Sequence, residues 1–282
     1  MQTLILILKI SSPLLFATLA ALVTEYAGVL AIFIEGIINL SAFLFVTFTI
    51  LTGNLLLGMI LSNITSILFI FILAVFTHKT KANPFLVGLS INLFSAGIIM
   101  FLKILLFKNN TVISFNNFSS TTNIQPFNSI IPTLIACAFA TIIFIFTQYS
   151  YQGIKLKYSG TNPETFLVRG NNPAKYKIVS WIIGTFLASS AGITMALNLA
   201  AYSPNISSGT GWIALVAIFL GYKNALLCIP AVIIFSAAQY YTNILQTASI
   251  IPKSIILALP YIFALFIFTL TQILQNKASK KN

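Results

Sequence analysis

Stretches of about twenty apolar residues recur along the whole of this chain. A helix of that length is what a protein needs to cross the hydrocarbon core of a bilayer, which is about 30 Å thick. Charged residues make up only 6% of the 282 residues, which excludes a water-soluble fold of this size. Long runs such as Ile67 to Phe76 do not alternate as membrane strands do. The sequence therefore predicts an all-α, polytopic membrane helical bundle.

Polar residues, glycines and prolines divide the apolar sequence into about nine predicted spans, with a range of eight to ten. The spans lie near residues 3–23, 28–51, 54–77, 84–107, 129–149, 178–200, 207–222, 224–246 and 254–275. The span at 207–222 is short and contains Gly209, Gly211 and Gly221, which favours a broken or partly re-entrant helix. If it does not cross, the C-terminal tail changes sides and its three lysines argue against the topology. The N-terminal apolar run, Met1 to Val23, is read as a retained first span and not as a cleaved signal peptide. Residues 1–282 are predicted to form one transmembrane domain.

The basic residues predict an orientation. The segment from Tyr151 to Lys177 carries five of the 15 Lys and Arg residues, so the excess of cations in cytoplasmic loops predicts that it is cytoplasmic. Alternation of nine spans then places eleven of the 15 in the cytoplasm. The N-terminus is predicted to be extracytoplasmic and the C-terminus cytoplasmic. Because topology explains the net charge of +12, we expect contact with membrane lipid and not with nucleic acid.

The sequence lacks the residues of a catalytic or metal site. It has one His, no Asp, no phosphate-binding glycine loop and no pair of residues at metal-ligand spacing. His78 stands beside Lys79 at a predicted cytoplasmic edge, where we expect an interfacial or solvated side chain. Cys137 and Cys228 lie inside apolar runs and are expected to pack as small apolar groups. We therefore expect no catalytic residue, no metal site and no cofactor bound by this chain.

Three polar side chains inside predicted spans are candidates for a solute path. Glu35 falls about eight residues into the second span, where an ionisable group is costly and usually faces protein or water. It either lines a path or is a structural carboxyl group bonded to neighbouring helix backbone opened by Gly36. Asn92 and Asn198 either bind a polar solute or join helices. Glu25, by contrast, is expected to cap the second helix or to meet a cytoplasmic partner.

The segment from Tyr151 to Lys177 is read as a loop with a turn and a short helix. Asn162 is predicted to cap that helix, Pro163 suits its first position, and Glu164 favours its positive end. With Gly160 before them, these residues form a candidate docking element for a cytoplasmic protein. The alternative is an ordinary solvated basic loop.

Four motifs occur in order along most of the chain. They are the proline-led segment from Pro13 to Gly36, GLSINL from Gly88, GIKLKYSGTNP from Gly153 and GTGWIALVAIF from Gly209. Together they resemble the permease subunits of bacterial ABC importers of the branched-chain amino acid and ribose permease type, in the nucleoside branch. The resemblance implies a type II-like importer fold in a bacterial cytoplasmic membrane.

The resemblance also implies partners. A permease of this kind pairs with a second permease subunit, two cytoplasmic ABC ATPase subunits and an external substrate-binding lipoprotein or periplasmic protein. The ATPases would dock at Gly160, Asn162, Pro163 and Glu164, and would bind the ATP and magnesium. This chain would be the non-catalytic conduit for nucleosides, with purine nucleosides expected, and Glu35, Asn92 and Asn198 would lie on the substrate path.

The chain departs from the family pattern at two places. Tyr26, Ala31 and Phe33 replace Arg, Asn and Gly of the first motif, and GYKNALL from Gly221 replaces the usual GRWNPxGA. We therefore expect the second permease subunit to be a different chain. Three alternatives stay open: a sugar such as ribose as the substrate, an ATP-independent carrier coupled to an ion through Glu35, and a membrane scaffold without transport activity.

Overall fold

The computed structural model describes residues 2–108, 112–115 and 130–248, together with the isolated positions 262, 265, 266 and 269. Within these residues the chain forms ten helices and two short strands. In chain order they are α1 (Gln2–Tyr26), α2 (Ile34–Thr52), α3 (Leu55–Thr80), α4 (Pro84–Phe107), β1 (Ile113–Ser114), α5 (Ile131–Tyr149), α6 (Tyr151–Thr161), α7 (Pro163–Val168), α8 (Pro173–Leu199), β2 (Ala201–Tyr202), α9 (Thr210–Leu220) and α10 (Cys228–Ala248).

Seven of the described helices are long and apolar enough to cross a membrane, namely α1 to α5, α8 and α10. The predicted class, a polytopic helical membrane bundle, is confirmed. The predicted ninth span at 254–275 and the C-terminal lysines lie outside the described residues, apart from the four isolated positions.

The weak span at 207–222 is a short helix preceded by irregular chain. α9 has 11 residues, which gives a length of about 17 Å and is too little to cross the hydrocarbon core alone. Before it, Asn205, Ser208 and Gly209 all have positive φ. The chain therefore enters the bundle after β2 as irregular backbone and continues as a half-length helix, as predicted for a broken helix.

The second span begins later than predicted. Residues 27–33 form turns, in which Gly28 has φ +73° and its N–H donates to the Glu25 carbonyl. α2 therefore starts at Ile34, so Glu35 lies in the first helical turn and not eight residues into a span. The prediction that Glu25 caps α2 is wrong, because Glu25 ends α1 and lies nine residues before α2.

The segment from Tyr151 to Lys177 is helical over most of its length and is not a loop. α6 and α7 occupy its first two thirds, and α8 begins at Pro173, five residues before the predicted span. α6 is helical because one face packs on the bundle, where Gly153, Leu156 and Ser159 are buried. Lys155 and Lys157 flank that face and are half-buried, and the polar composition of this short helix is why its sequence resembles a loop.

The core lies where α8 packs against α1, α2 and α3, while α1 also packs against α5, α9 and α10. Small residues permit close approach, as the sequence suggested for Gly192 and its neighbours. A Cβ on Gly192 would collide with the Ile38 carbonyl of α2, and one on Gly184 would lie 2.8 Å from Thr24 Cγ2 of α1. At the opposite end from α6 and α7, β1 pairs antiparallel with β2, joining Ile113 to Tyr202.

Candidate functional site

Glu35 joins the start of α2 to the start of α9. Its Oε1 accepts the Gly209 N–H at 2.8 Å and its Oε2 accepts the Gly211 N–H at 2.7 Å. The Ser207 hydroxyl also donates to Oε1. A carboxylate at a helix N-terminus satisfies N–H groups that have no partner in the helix and interacts favourably with the helix dipole. These contacts fit the structural interpretation from sequence, although the donors come from α9 and not from backbone opened by Gly36; that Glu35 lines a solute path stays a prediction.

Asn92 serves the start of α2 in a similar way. Its Oδ1 accepts the Gly36 N–H at 2.8 Å, and its Nδ2 donates to the Ile32 carbonyl at 2.9 Å. A Cβ on Gly36 would lie 2.7 Å from the Asn92 Oδ1, so only glycine permits this approach. Asn92 is the ninth residue of α4, about 12 Å along the helix from its first residue. The junction of α2, α4 and α9 therefore lies within the depth of the hydrocarbon core.

Two cavities meet at Glu35. One, of about 400 Å³, lies between α2 and α4 and is lined by Gly36, Asn39, Asn92 and Lys103. The other, of about 730 Å³, lies between α9 and α10. Glu35 and Asn205 line both. The start of α9, fixed by Glu35, thus forms a wall shared by two half-open cavities.

The larger cavity has an amide-rich wall on α10. Gln239 lies three and four residues before Thr242 and Asn243, and Gln246 lies four and three residues after them, which places all four on one helix face. Trp212, in the first turn of α9, also lines the cavity with 43% of its surface exposed. Hydroxyls of the loop before α9 add further polar groups. Such a space can hold a polar, uncharged molecule that has both hydrogen-bonding edges and a flat face.

Sequence reasoning identified part of this site. Asn39 was missed, although its Nδ2 donates to the Ser207 Oγ at 2.6 Å and its Oδ1 accepts the Ser207 N–H at 3.2 Å. The polar stripe of α10 was also missed, although its periodicity in an otherwise apolar helix was a usable signal. Asn198 does not join the group, because it is exposed near the C-terminal end of α8 and lines neither cavity at Glu35.

A second candidate region lies at the end of the bundle that carries α6 and α7. Gly160, in α6, lies directly against the turn after α1: a Cβ there would be 2.5 Å from the Gly28 nitrogen, and one on Gly28 would be 2.8 Å from the Gly160 Cα. The backbones of Gly28 and Gly160 are therefore in direct contact. No side chain stands between α6 and residues 27–33 at this contact, and this turn leads directly to Glu35.

α7 is a six-residue helix on the surface, of which only Phe166 is buried. Pro163 stands in the first turn, as predicted, and Glu164 is exposed. The predicted side-chain cap by Asn162 is wrong: its backbone has φ −139° and ψ 75° and departs from the extended conformation of the true caps Asn54 and Asn83. The Asn162 carbonyl instead accepts the Phe166 N–H at 3.1 Å.

A groove of about 520 Å³ runs between α6 and α7. Aromatic and polar residues line it, including Tyr151, Tyr158, Asn162, Phe166 and Arg169. Phe166 is buried and packs edge-on against Tyr176 of α8, with ring centroids 5.4 Å apart. This contact holds α7 against α8, so the groove between α6 and α7 is a rigid surface that a globular partner could contact.

The end of α1 also contacts the turn between α9 and α10. The Lys223 Nζ forms an ion pair with Glu25 at 2.7 Å, and the Tyr26 hydroxyl donates to the Lys223 carbonyl at 2.6 Å. Lys157 of α6 lies over the Tyr26 ring at 4.9 Å, and burial lowers the pKa of this lysine. Tyr26 and Lys223, both in segments that depart from the family pattern, are therefore neighbours.

Comparison with known proteins decides the family. The family model described as the branched-chain amino acid transport system permease component matches residues 3–271. The chain belongs to this permease family. This match confirms the resemblance inferred from the four motifs. The permease is therefore a multi-pass protein of the bacterial inner membrane. Members of this class are generally non-catalytic subunits that work with an ATPase and a substrate-binding protein.

Two curated relatives align with nearly all of the permease. It is 23% identical over 281 residues to the nucleoside ABC transporter permease protein NupC of Lactococcus lactis subsp. cremoris, an alignment that covers 92% of this chain and 89% of the relative. It is also 23% identical over 281 residues to the guanosine ABC transporter permease protein NupQ of Bacillus subtilis, with 92% and 88% coverage. No solved structure gives a significant match to the permease.

Proposed function

We propose that this permease is the membrane-spanning subunit of an ATP-driven importer of nucleosides. The observation that carries the proposal is the cavity between α9 and α10, with the amides of α10 on one wall and Trp212 on another. A nucleoside is uncharged, offers a flat base for stacking on an aromatic ring, and presents donors and acceptors at the base edge and on the sugar. The named activities of the two relatives support the same substrate class.

In this proposal Glu35 and Asn92 fix the positions of the helix starts that border the path. Their oxygens are occupied by the backbone N–H groups at the starts of α9 and α2, so they hold these starts at the cavity wall. Glu35 is then a positioning residue of the cavity wall. A role for Asn198 on the path stays a prediction.

ATP hydrolysis is proposed to reach the cavity through α6 and α7. An ABC ATPase subunit would dock on the groove between these helices, contacting exposed Asn162 and Glu164 beside Pro163. Its movement would pass to α1 and α2 through the Gly160 contact with Gly28. ATP and magnesium would be bound by that partner. The complete importer would include a second, different permease subunit and an external binding protein.

Uptake of labelled nucleosides into cells that express the permease with its genomic partners tests this function. We expect purine nucleosides to compete best, Trp212→Ala to lower uptake at least tenfold, and Trp212→Phe to retain most of it, because phenylalanine keeps a stacking face. Asn243→Ala should weaken uptake, whereas Gln148→Ala, at an exposed position of α5, should not.

Other outcomes decide between the alternatives. Competition by ribose but not by nucleosides would show that the substrate is a sugar. Uptake that survives depletion of ATP and collapses with an ion gradient would contradict the ATP-driven mechanism. If Glu164→Arg and a bulky substitution of Gly160 leave ATP-dependent uptake at normal rates, the docking assignment is wrong.

A further inference from the structure

A cavity of about 330 Å³ lies apart from the proposed solute path, at the end of the bundle that carries α6 and α7. It is enclosed by the end of α3, the start of α4 and the first turns of α8. Its inner wall is apolar and includes Val29, Ile178 and Trp181. Its rim carries His78, Lys81 and Lys177.

The rim has one sign of charge. Lys81 follows the last residue of α3 and Lys177 lies in α8, and His78 adds an imidazole ring that can donate a hydrogen bond. No acidic side chain lines the cavity. Among the described residues, the ion pair that forms is between Lys223 and Glu25, and neither of these lines the cavity. The cations on this rim are therefore not neutralised by carboxylates of the described chain, so the rim is complementary to an anion.

The depth of the cavity fits a lipid. α3 ends at Thr80 and α4 begins at Pro84, so the rim lies where helices leave the membrane. Trp181 lies eight residues into α8, about 12 Å along the helix axis. A cationic rim at headgroup level above an apolar wall at acyl-chain level matches the two chemical halves of a phospholipid.

The surroundings are open to the bilayer. α3 and α4 are among the least buried of the spanning helices, with 22% of their apolar windows covered. Near the cavity, Phe76 and Leu86 are more than half exposed. Large apolar side chains on the outside of membrane-spanning helices face lipid or a neighbouring subunit, so a lipid can reach the rim laterally.

We propose that this cavity binds an anionic phospholipid, with the phosphate held by Lys81, Lys177 and His78 and an acyl chain against Trp181 and Ile178. Basic pockets between spanning helices are suited to such headgroups. The proposal does not depend on what the permease transports. It assigns to this chain a lipid site separate from the cavities at Glu35.

Two matched pairs of substitutions test it. Lys81→Gln with Lys177→Gln removes two cations from the rim, and Lys79→Gln with Lys175→Gln removes two exposed cations that do not line the cavity, on or beside the same helices. Binding of phosphatidylglycerol to the purified full-length chain is measured by native mass spectrometry. We expect the rim pair to weaken it roughly thirtyfold and the outer pair to change it little.

A fluorescence measurement keeps the test decisive if a variant folds poorly. The chain has two tryptophans, so Trp212→Phe leaves Trp181 as the sole tryptophan, which can be excited selectively over the tyrosines. Phosphatidylglycerol with brominated acyl chains should quench Trp181, and unbrominated phosphatidylglycerol should compete, whereas phosphatidylcholine should compete at least tenfold less well. Equal loss of binding in both lysine pairs would overturn the proposal, as would equal competition by phosphatidylcholine. Displacement by inorganic phosphate at equal concentration would assign the site to a free phosphate and would also overturn it.

Discussion

Glu35 illustrates how one carboxylate can be retained inside a membrane protein. Its two oxygens accept the N–H groups of Gly209 and Gly211, and the Ser207 hydroxyl adds a third donor. Hydrogen bonds to an ionised acceptor are stronger than neutral ones, and the positive end of α9 adds to them. The charge and the free backbone groups of a short helix therefore stabilise each other.

We expect Glu35→Ala to destabilise the protein by about 2–4 kcal/mol, because it leaves buried N–H groups without an acceptor. In a thermal unfolding assay in detergent this corresponds to a loss of about 5–10 °C. Glu35→Gln should lose less, since an amide oxygen can still accept one N–H. Glu164→Gln, on the surface of α7, serves as the control and should unfold at the temperature of the unmodified chain. An unchanged melting temperature for Glu35→Ala would contradict the structural role.

Gly211 tests the same contact from the other side. A Cβ on Gly211 would lie 2.8 Å from the Glu35 nitrogen and 2.9 Å from its Oε2. We expect Gly211→Ala to cost about 1–3 kcal/mol through overpacking. Gly97→Ala is the matched control, because a Cβ at Gly97 of α4 meets nothing within 4 Å. Equal stability of the two variants in the unfolding assay would rule out tight packing at Gly211.

At the scale of elements, the end of α1 contacts α6 on the surface of the bundle. It also contacts the turn between α9 and α10, the two helices that border the larger cavity. Tyr26 follows Glu25, which pairs with Lys223 in the turn between α9 and α10. The Tyr26 carbonyl contacts Gly160 of α6, and its hydroxyl donates to the Lys223 carbonyl. We therefore expect a displacement of α6 to act on α9 and α10 as well as on α2.

Tyr26→Phe removes the bond to Lys223 and keeps the ring. We expect a small loss of stability, about 1 kcal/mol, because one neutral hydrogen bond is lost. In the assembled importer we expect more ATP hydrolysed per nucleoside taken up, since α6 would move with less effect on α9 and α10. The control is Tyr149→Phe, at an exposed hydroxyl of α5. An unchanged ratio of hydrolysis to uptake in Tyr26→Phe would show that this bond transmits nothing.

At the scale of the whole molecule, the two ends of the bundle differ in chemistry. One end carries α6, α7 and most of the described basic residues, and the other carries the paired strands β1 and β2. Cations concentrate on the cytoplasmic side of membrane proteins. We therefore predict that α7 faces the cytoplasm and β1 the outside.

Single cysteines can check this orientation. In a background without Cys137 and Cys228, Val112→Cys beside β1 and Val168→Cys at the end of α7 place thiols at positions that are 54% and 88% exposed. A membrane-impermeant maleimide should label Val112→Cys in spheroplasts and Val168→Cys only after permeabilisation. The reverse pattern would invert the topology, and with it the predicted external N-terminus.

The sequence predicted long elements well and local geometry poorly. Continuous apolar runs identify spanning helices because the bilayer imposes their length. The start of α2 was missed because residues 27–33 are as apolar as a helix, and their turns depend on the contact between Gly28 and Gly160, which are far apart in sequence. The partners of Glu35 were missed for the same reason: Gly209 and Gly211 approach it only through tertiary packing. Asn39 and the stripe on α10 could have been found from spacing alone.

The pairing of β1 with β2 has a consequence for how the protein is made. Ile113 and Tyr202 bond across 89 positions of chain, with α5 to α8 between them. At the usual rate of synthesis, about 5–20 residues per second, the ribosome needs roughly 4–18 s to travel from one to the other. During that time β1 has emerged without its strand partner. In the predicted orientation this end of the bundle is the outer one, so its surface would close late, once α8 has been inserted, and a nascent chain released before that point would present β1 unpaired to proteases outside the membrane.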